Sequence, residues 1–408
     1  METKPSTAAS APSQPIRHPL DGIVVLSLEH AVAAPFCSRQ LADYGARVIK
    51  VERPGAGDFA RHYDSAVKGL SSYFVWLNRS KESLSLDIKH PAAHAIFDAL
   101  LPRVDVLVQN LAPGSATRLG LDYASLSSRF PRLIVVDISG YGDSGPFRDK
   151  KAYDLLVQAE SGLVSVTGSA DTPSRAGVSI ADIAAGMYAY SGTLMALFQR
   201  ERTGRGTRVE VSMLEALSEW MSQPRYFAEG TGHAPARSGA SHPSIAPYGP
   251  HRAGDGRDVL FGIQNEREWT RFCGEVLNDA ALATESRFST NVTRVANRAE
   301  LTRTIESNFA SRTSAEIIRD LDRAGIANGR VNDARAVRAH EQLEARGRWR
   351  SVATPADDID ATLPPVNLDG AEPVMGAVPD LGAHTDAILG ELGFTADRIS
   401  ELRQTGAI

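Results

Sequence analysis

The sequence predicts an α/β fold: a large lobe with a doubly wound parallel sheet, built from both ends of the chain, plus a smaller α+β lobe. Three observations carry this. Short apolar, β-branched runs alternate with helical segments over the first half, the pattern of strands joined by crossover helices. At 408 residues the chain is too long for one small domain. Finally, Phe227 to Gly256 is rich in Gly, Pro, His and Ser, which reads as a long loop and a domain boundary.

Gly22–Leu28 (Gly-Ile-Val-Val-Leu-Ser-Leu) is the first expected strand, suited to burial on both faces. A helix follows over Pro35–Tyr44, with Pro35 in its tolerated first turn, and Gly45 ends it. Arg47–Glu52 returns as strand, then come helix His94–Leu101 and strands Val104–Gln109 and Leu133–Ile138. Helical patterns run over Leu155–Leu163 and from Asp182 to about Arg200, followed by strand Arg208–Val211 and helix Leu214–Tyr226. Residues 257–330 read as mostly helical with a strand near Val259–Ile263. The remainder is loop-rich, contains Pro364-Pro365, and ends in an amphipathic helix (Thr385–Leu392) and a terminal turn. The expected division is a disordered leader (1–18), a large α/β domain (19–226), a linker with a small domain (227–330), and a segment (331–408) returning to the large domain.

Composition narrows the function. Lys and Arg number 44 against 49 acidic residues, so no general polycation faces nucleic acid or an anionic membrane, although a local basic pocket stays open. Cys37 and Cys273 are the only cysteines; they imply no disulfide framework and fit a reducing cytoplasm. The apolar stretch Met187–Phe198 is too short to span a bilayer, and the Ala/Ser/Pro/Thr-rich first seventeen residues lack a signal-peptide core. A cytoplasmic protein is expected.

Ligands of open parallel sheets bind beyond the carboxyl ends of the strands, which directs attention to the loops after Leu28, Glu52, Gln109 and Ser139. Glu29 to Pro35 contains no glycine, so the dinucleotide fingerprint is missing there, and Gly204-Arg205-Gly206 precedes a strand rather than a helix. No nicotinamide cofactor is expected. His242 and His251, eight residues apart without companion ligands, do not form a metal motif. Asp182 stands between a Gly/Pro/Ser-rich loop and an apolar helical run. A carboxylate there serves either as an N-cap or as a reactive anion favoured by the helix terminus.

A series of motifs then resembles the class III CoA-transferases, the superfamily of formyl-CoA transferase, carnitine-CoA transferase and methylacyl-CoA racemase. Leu41-Ala42-Asp43-Tyr44-Gly45-Ala46-Arg47-Val48-Ile49-Lys50-Val51-Glu52-Arg53-Pro54, with Gly57-Asp58 and Arg61, resembles the opening motif. Asn78-Arg79-Ser80-Lys81, Leu86-Asp87-Ile88-Lys89, Asn110-Leu111-Ala112-Pro113-Gly114, Arg118-Leu119-Gly120, Ser139-Gly140-Tyr141-Gly142, Arg202-Thr203-Gly204-Arg205-Gly206 and Leu381-Gly382-Ala383-His384-Thr385-Asp386 follow in order. The resemblance covers about residues 19–395. It implies an aspartate nucleophile at Asp182, acting on a CoA thioester through an aspartyl anhydride and an aspartyl-CoA thioester. It also implies an orienting acid at Asp154, whose alternative is a helix cap, and a homodimer of interlocked chains.

Cofactor contacts implied by the resemblance are Val32, Arg53, Leu86, Lys89, Asn110, Arg118, Lys151 and Tyr153. The arginines suit adenine and phosphate, and a lysine suits phosphate. Arg39 and Arg61 read equally well as surface residues. Val32 stands where the formyl-CoA branch has Gln, and Arg237 to Tyr248 replaces that branch's polyglycine loop. Both departures argue against oxalate and formate, and the stretch Ser241 to Tyr248 resembles the branch acting on C4–C6 dicarboxylates, including mesaconyl-CoA and succinyl-CoA chemistry. Arg237, Ser241 or His242 would then hold the second carboxylate. The rivals are a racemase of the same superfamily and a non-catalytic CoA-binding protein. Tyr153 stands where the racemase branch has His, and tyrosine shuttles protons poorly near neutrality, which favours the transferase.

Overall fold

The computed structural model describes residues 18–408; the expected leader therefore lies outside the described residues except for His18. Six strands form one parallel sheet: β1 (Val24–Leu28), β2 (Arg47–Glu52), β3 (Lys81–Ser85), β4 (Val106–Gln109), β5 (Ile134–Ser139) and β6 (Arg208–Ser212), in the order β3-β2-β1-β4-β5-β6. Leu26 of β1 pairs with Ile49 on one side and Leu107 on the other. Val25, Leu26, Val106, Leu107 and Val108 are fully buried, as both-face coverage of a parallel sheet requires. The strand order reverses between β1 and β4, so a crevice opens beyond Leu28 and Gln109.

β3 was not anticipated, because Lys81-Glu82-Ser83-Leu84-Ser85 holds a single apolar residue. Its buried Lys81 and Ser83 are satisfied by Glu29 and Glu52 from neighbouring chain segments, so the strand's polarity is compensated rather than solvated.

Helix α1 (Ala33–Asp43) follows β1, and a 24-residue helix, here α3 (Ile180–Thr203), precedes β6; between them in sequence lies α2 (Asp154–Glu160). Both α1 and α3 thus begin on the carboxyl side of the sheet. Buried Ala181, Ala185, Gly186 and Ala189 give α3 a small-residue face. A Cβ on Gly186 would lie 2.6 Å from the Ala33 carbonyl oxygen and 3.1 Å from Phe36 Cβ. Gly186→Val is therefore expected to force α1 and α3 apart and cost roughly 1–3 kcal/mol, read as a lowered denaturation midpoint; an unchanged midpoint would refute the close approach.

The chain divides into two compact units. The first runs to Ser161 and adds residues 177–220 and 348–408; the second comprises residues 162–176 and 221–347. The boundaries placed at 226/227 and 330/331 from sequence thus fall at 220/221 and 347/348, with 162–176 as an extra excursion. The single helix expected over Leu214–Tyr226 is two: α4 (Met213–Trp220) in the first unit and Ser222–Thr231 in the second. The stretch read as loop from Phe227 to Gly256 also contains a strand, Tyr248–Arg252, which pairs antiparallel with Asp258–Gly262, itself paired with Asn328–Arg330. Phe261, Trp269, Phe272 and Phe309 fill the second unit's core.

In the C-terminal segment, Trp349–Val352 and Ile359–Thr362 form an unanticipated antiparallel pair. Helix Thr385–Glu391 is present, but the expected terminal turn is a second helix, Ala396–Gln404, whose Ile399 and Leu402 enter the main core. Among the described residues, no helix is long and apolar enough to cross a membrane.

Candidate active site

Beyond the carboxyl ends of β1 to β4 lies a cavity of about 500 Å3. Arg53, Leu86 and Lys89, three of the residues singled out from sequence, line it together with His30 and Leu111. Asn110 acts differently. Its Oδ1 accepts from the His30 N–H and its Nδ2 donates to the His30 carbonyl, both at 2.9 Å. Its amide is thus occupied in fixing the loop after β1. Val32 is buried and immediately precedes α1. Arg118 is exposed and donates to Ser115 Oγ at 2.7 Å, and Lys151 is exposed; neither lines the cavity.

Under this edge of the sheet lies an ion network that sequence reading missed. Lys81 donates to Glu29 Oε1 (2.7 Å), Lys50 to Glu29 (3.3 Å) and Asp58 (2.8 Å), and all four side chains are fully buried. Ser38 also donates to Glu29. Burial opposes the Glu29 charge, but Lys81 and Lys50 overcome it and hold its pKa down at about 2. Lys50 is desolvated yet faces two carboxylates, Asp58 and Glu29, and its pKa is raised. Lys81 shares Glu29 with Lys50, and desolvation lowers it to about 8.

The outer motif charges pair in the same way. Arg79 chelates Asp43, which Arg39 also contacts. Arg61 chelates Glu52 and lies 3.7 Å from the centre of the Phe74 ring. Arg39 is therefore buried and Arg61 largely so, and the surface reading of both is corrected. Arg39 and Asp43 lie one turn apart in α1, whereas Arg79–Asp43 and Arg61–Glu52 join separate elements, which spacing in sequence does not reveal.

Asp182 occupies the first turn of α3, and the residue preceding that helix is Ser179, so Asp182 is not the N-cap. The capping carboxylate comes from Asp154. Its Oδ1 accepts from the N–H groups of Ala181 (2.8 Å) and Asp182 (3.3 Å), while its Oδ2 accepts from Gln158 (2.6 Å). Asp154 thus caps a helix other than its own and fixes the backbone that carries Asp182. Of the two readings of Asp154, the helix cap is the one this geometry describes. Burial, and secondarily the Asp154 charge, push the Asp182 carboxyl up to about 7. The expectation that the helix terminus would keep it fully ionised is thus offset by desolvation.

Tyr153 precedes α2 and is 66% exposed. Tyr63, absent from the sequence-based set, is raised to about 12 by burial and by the nearby Asp58, Asp182 and Tyr153, so its hydroxyl stays protonated. It continues an aromatic run, His30 to Phe59 (5.5 Å) to Tyr63 (5.7 Å), which starts at the cavity.

Arg237, Ser241 and His242 belong to the second unit. Arg237 donates to the carbonyls of Ser165, Ser169 and Ala170; its guanidinium is spent on tying 162–176 to this loop, which removes it as a free carboxylate donor. His242 stacks on Tyr248 at 5.3 Å, and Ser241 receives the Ser238 hydroxyl at its carbonyl. His251 is buried against Phe261 and lowered to about 4 by desolvation. Among the described residues no group of three or more His, Cys, Asp or Glu is arranged to hold a metal ion.

The first unit thus combines a parallel sheet whose order reverses beside a cavity lined by Arg53, Lys89 and Asp87 with a desolvated aspartate at a helix start. The family model for CoA-transferase family III matches residues 20–385, and the chain belongs to that family. It is an enzyme of this class, acting on CoA thioesters and carboxylic acids. An acetyl-CoA:oxalate CoA-transferase from Acetobacter aceti is 36% identical over 339 residues, 83% of this chain and 86% of that protein. A succinyl-CoA:glutarate CoA-transferase from Mus musculus is 34% identical over 396 residues, 96% of this chain and 90% of that one. The crystal structure of a CAIB/BAIF family protein from Brucella suis is 31% identical and matches with a TM-score of 0.83, covering 92% of this chain and 100% of that one.

Proposed function

We propose that the protein moves CoA between an acyl-CoA and a C4–C6 dicarboxylic acid, with Asp182 as nucleophile and Asp154 as the residue that positions it. The observation that carries this is the Asp182 carboxyl itself. It is desolvated, fixed by its backbone to Asp154, and poised to ionise near neutrality. An Asp182 carboxylate oxygen attacks the thioester carbonyl, and CoA leaves as the thiolate, giving a mixed anhydride. The thiolate attacks the aspartyl carbonyl of that anhydride, releasing the donor acid and leaving an aspartyl-CoA thioester. The acceptor carboxylate attacks this thioester and regenerates the thiolate, which then attacks the acceptor's carbonyl to form the new acyl-CoA and free Asp182. No net proton is consumed.

Relatives named for oxalate and for glutarate match at similar identity. The C4–C6 assignment therefore rests on residues 241–248, with Val32 arguing against the formyl-CoA branch and with Ser241 and His242 as the remaining polar side chains proposed for the second carboxylate. A homodimer is part of the same reading. The test incubates the enzyme with succinyl-CoA or mesaconyl-CoA and a panel of acids (glutarate, itaconate, citramalate, malate, oxalate), following thioesters by mass spectrometry. Exchange with the longer diacids is expected. Exclusive use of oxalate would refute the substrate assignment. Exchange of α-protons with deuterated solvent, without CoA transfer, would establish the racemase instead.

A further inference from the structure

We infer that His30 is a further substrate-binding residue, one that grips the pantetheine arm of an acyl-CoA in the cavity beyond β1. The inference rests on the CoA-transfer reading above. Its basis is how this residue is held. Asn110 takes both polar groups of the His30 backbone, from β4 across the strand reversal. On the other side Asp58 accepts from the Ala31 N–H at 3.2 Å, and its carboxylate is itself anchored by buried Lys50. Ala31 has φ of 62°, a left-handed backbone that residues with a Cβ seldom adopt unless their surroundings impose it. Two motif residues and one strained peptide therefore converge on the main chain that carries this imidazole.

The ring is not packed away. It stacks on Phe59, its side chain is 31% exposed, and it lines the cavity with Leu28 and Leu111. Its Nδ1 is buried 4.0 Å from Asp58 without a hydrogen-bond partner, so Nε2 is the ring nitrogen left to meet a ligand. Burial lowers the pKa despite Asp58, so the imidazole is neutral at neutral pH. The chemistry of the lining then sorts itself along an acyl-CoA. Arg53 and Lys89 supply the positive charge that phosphates require, whereas a neutral ring among leucines suits the amide-bearing, uncharged arm between nucleotide and thioester.

The test compares two probes by calorimetry, CoA and its nucleotide half, 3′-phospho-ADP. His30→Phe keeps the stack on Phe59 but removes the ring nitrogens. It is expected to weaken CoA binding roughly 5–10-fold, the worth of one hydrogen bond, and to leave 3′-phospho-ADP unaffected; His30→Gln should recover most of the loss. CoA binding unchanged in His30→Phe, or an equal loss for both probes, overturns the inference. Arg53→Ala and Lys89→Ala are expected to weaken both probes. If these two variants leave both unaffected, the cavity is not the CoA site, and the assignment of the cavity falls together with the inference.

Discussion

Replacing Asp182 by asparagine is expected to abolish CoA exchange and, at the same time, to make the protein more stable above neutral pH. An amide cannot attack a thioester, so turnover should fall by at least about 1,000-fold while CoA binding persists. The stability effect follows from linkage. The Asp182 carboxyl is raised from 3.8 to about 7, so the folded state binds this proton more tightly than the unfolded chain does. Its cost to stability therefore grows as pH rises from about 4 to about 7, is fully present above 7, and is absent below the unfolded value. Asparagine removes that cost. Asp182→Asn should be more stable than the wild type at pH 8 by on the order of 1–3 kcal/mol, with the gap closing by pH 4. A variant no more stable at pH 8 would mean that Asp182 is solvated and ionised throughout. Asp154→Asn provides an independent check. Its amide oxygen can still accept from Ala181, but the charge beside Asp182 is gone. The acid limb of the kcat/KM profile, expected near pH 7 in the wild type, should move to lower pH.

Glu29→Ala is expected to be the most damaging single substitution in the core of the sheet. Removing this carboxylate leaves Lys81 with only the Pro35 carbonyl and the Asn78 side-chain oxygen, both at 3.1 Å, and takes from Lys50 one of its two carboxylates. A buried charge stripped of its partner typically costs about 3–5 kcal/mol, most of it the desolvation of the orphaned ammonium. Lys81, already lowered to about 8, can escape by losing its proton. The folded variant then binds that proton less tightly than the unfolded chain, so its stability should recover as pH rises. Urea unfolding at pH 6 and pH 9 reads this directly, with the larger penalty at pH 6. A penalty below about 1 kcal/mol at pH 6 would show that Glu29 is not what compensates the two lysines.

The same residues show how far the sequence could be read. Lys50, Glu52, Asp58, Arg61, Arg79 and Lys81 all lay in motifs that matched the family, and the matching order of motifs identified the class. What the charges do was not visible there. They neutralise one another under the edge where the cavity lies. Glu29 and His30 stood in the first loop the strand-end rule singled out, yet nothing adjacent in sequence marks either. Lys50 lies 21 residues from Glu29, and Asn110 lies 80 from His30.

By itself the sequence determined the alternation of strands and helices, because burial on both faces and the 3.6-residue period are written into short windows. It also determined the missing glycine fingerprint, and the aspartate at the start of α3. Tertiary structure alone decided four things. Lys81–Ser85 is a strand, its polar side chains being satisfied by Glu29 and Glu52. Asp154 caps a helix that begins far along the chain. Residues 162–176 leave the first unit to be tied down by Arg237. Burial and the Asp154 charge push the carboxyl of Asp182 up to about 7. The reason is common to all four. A side chain's type is a local fact, but its partner and its contact with water are set by which distant segments pack against it.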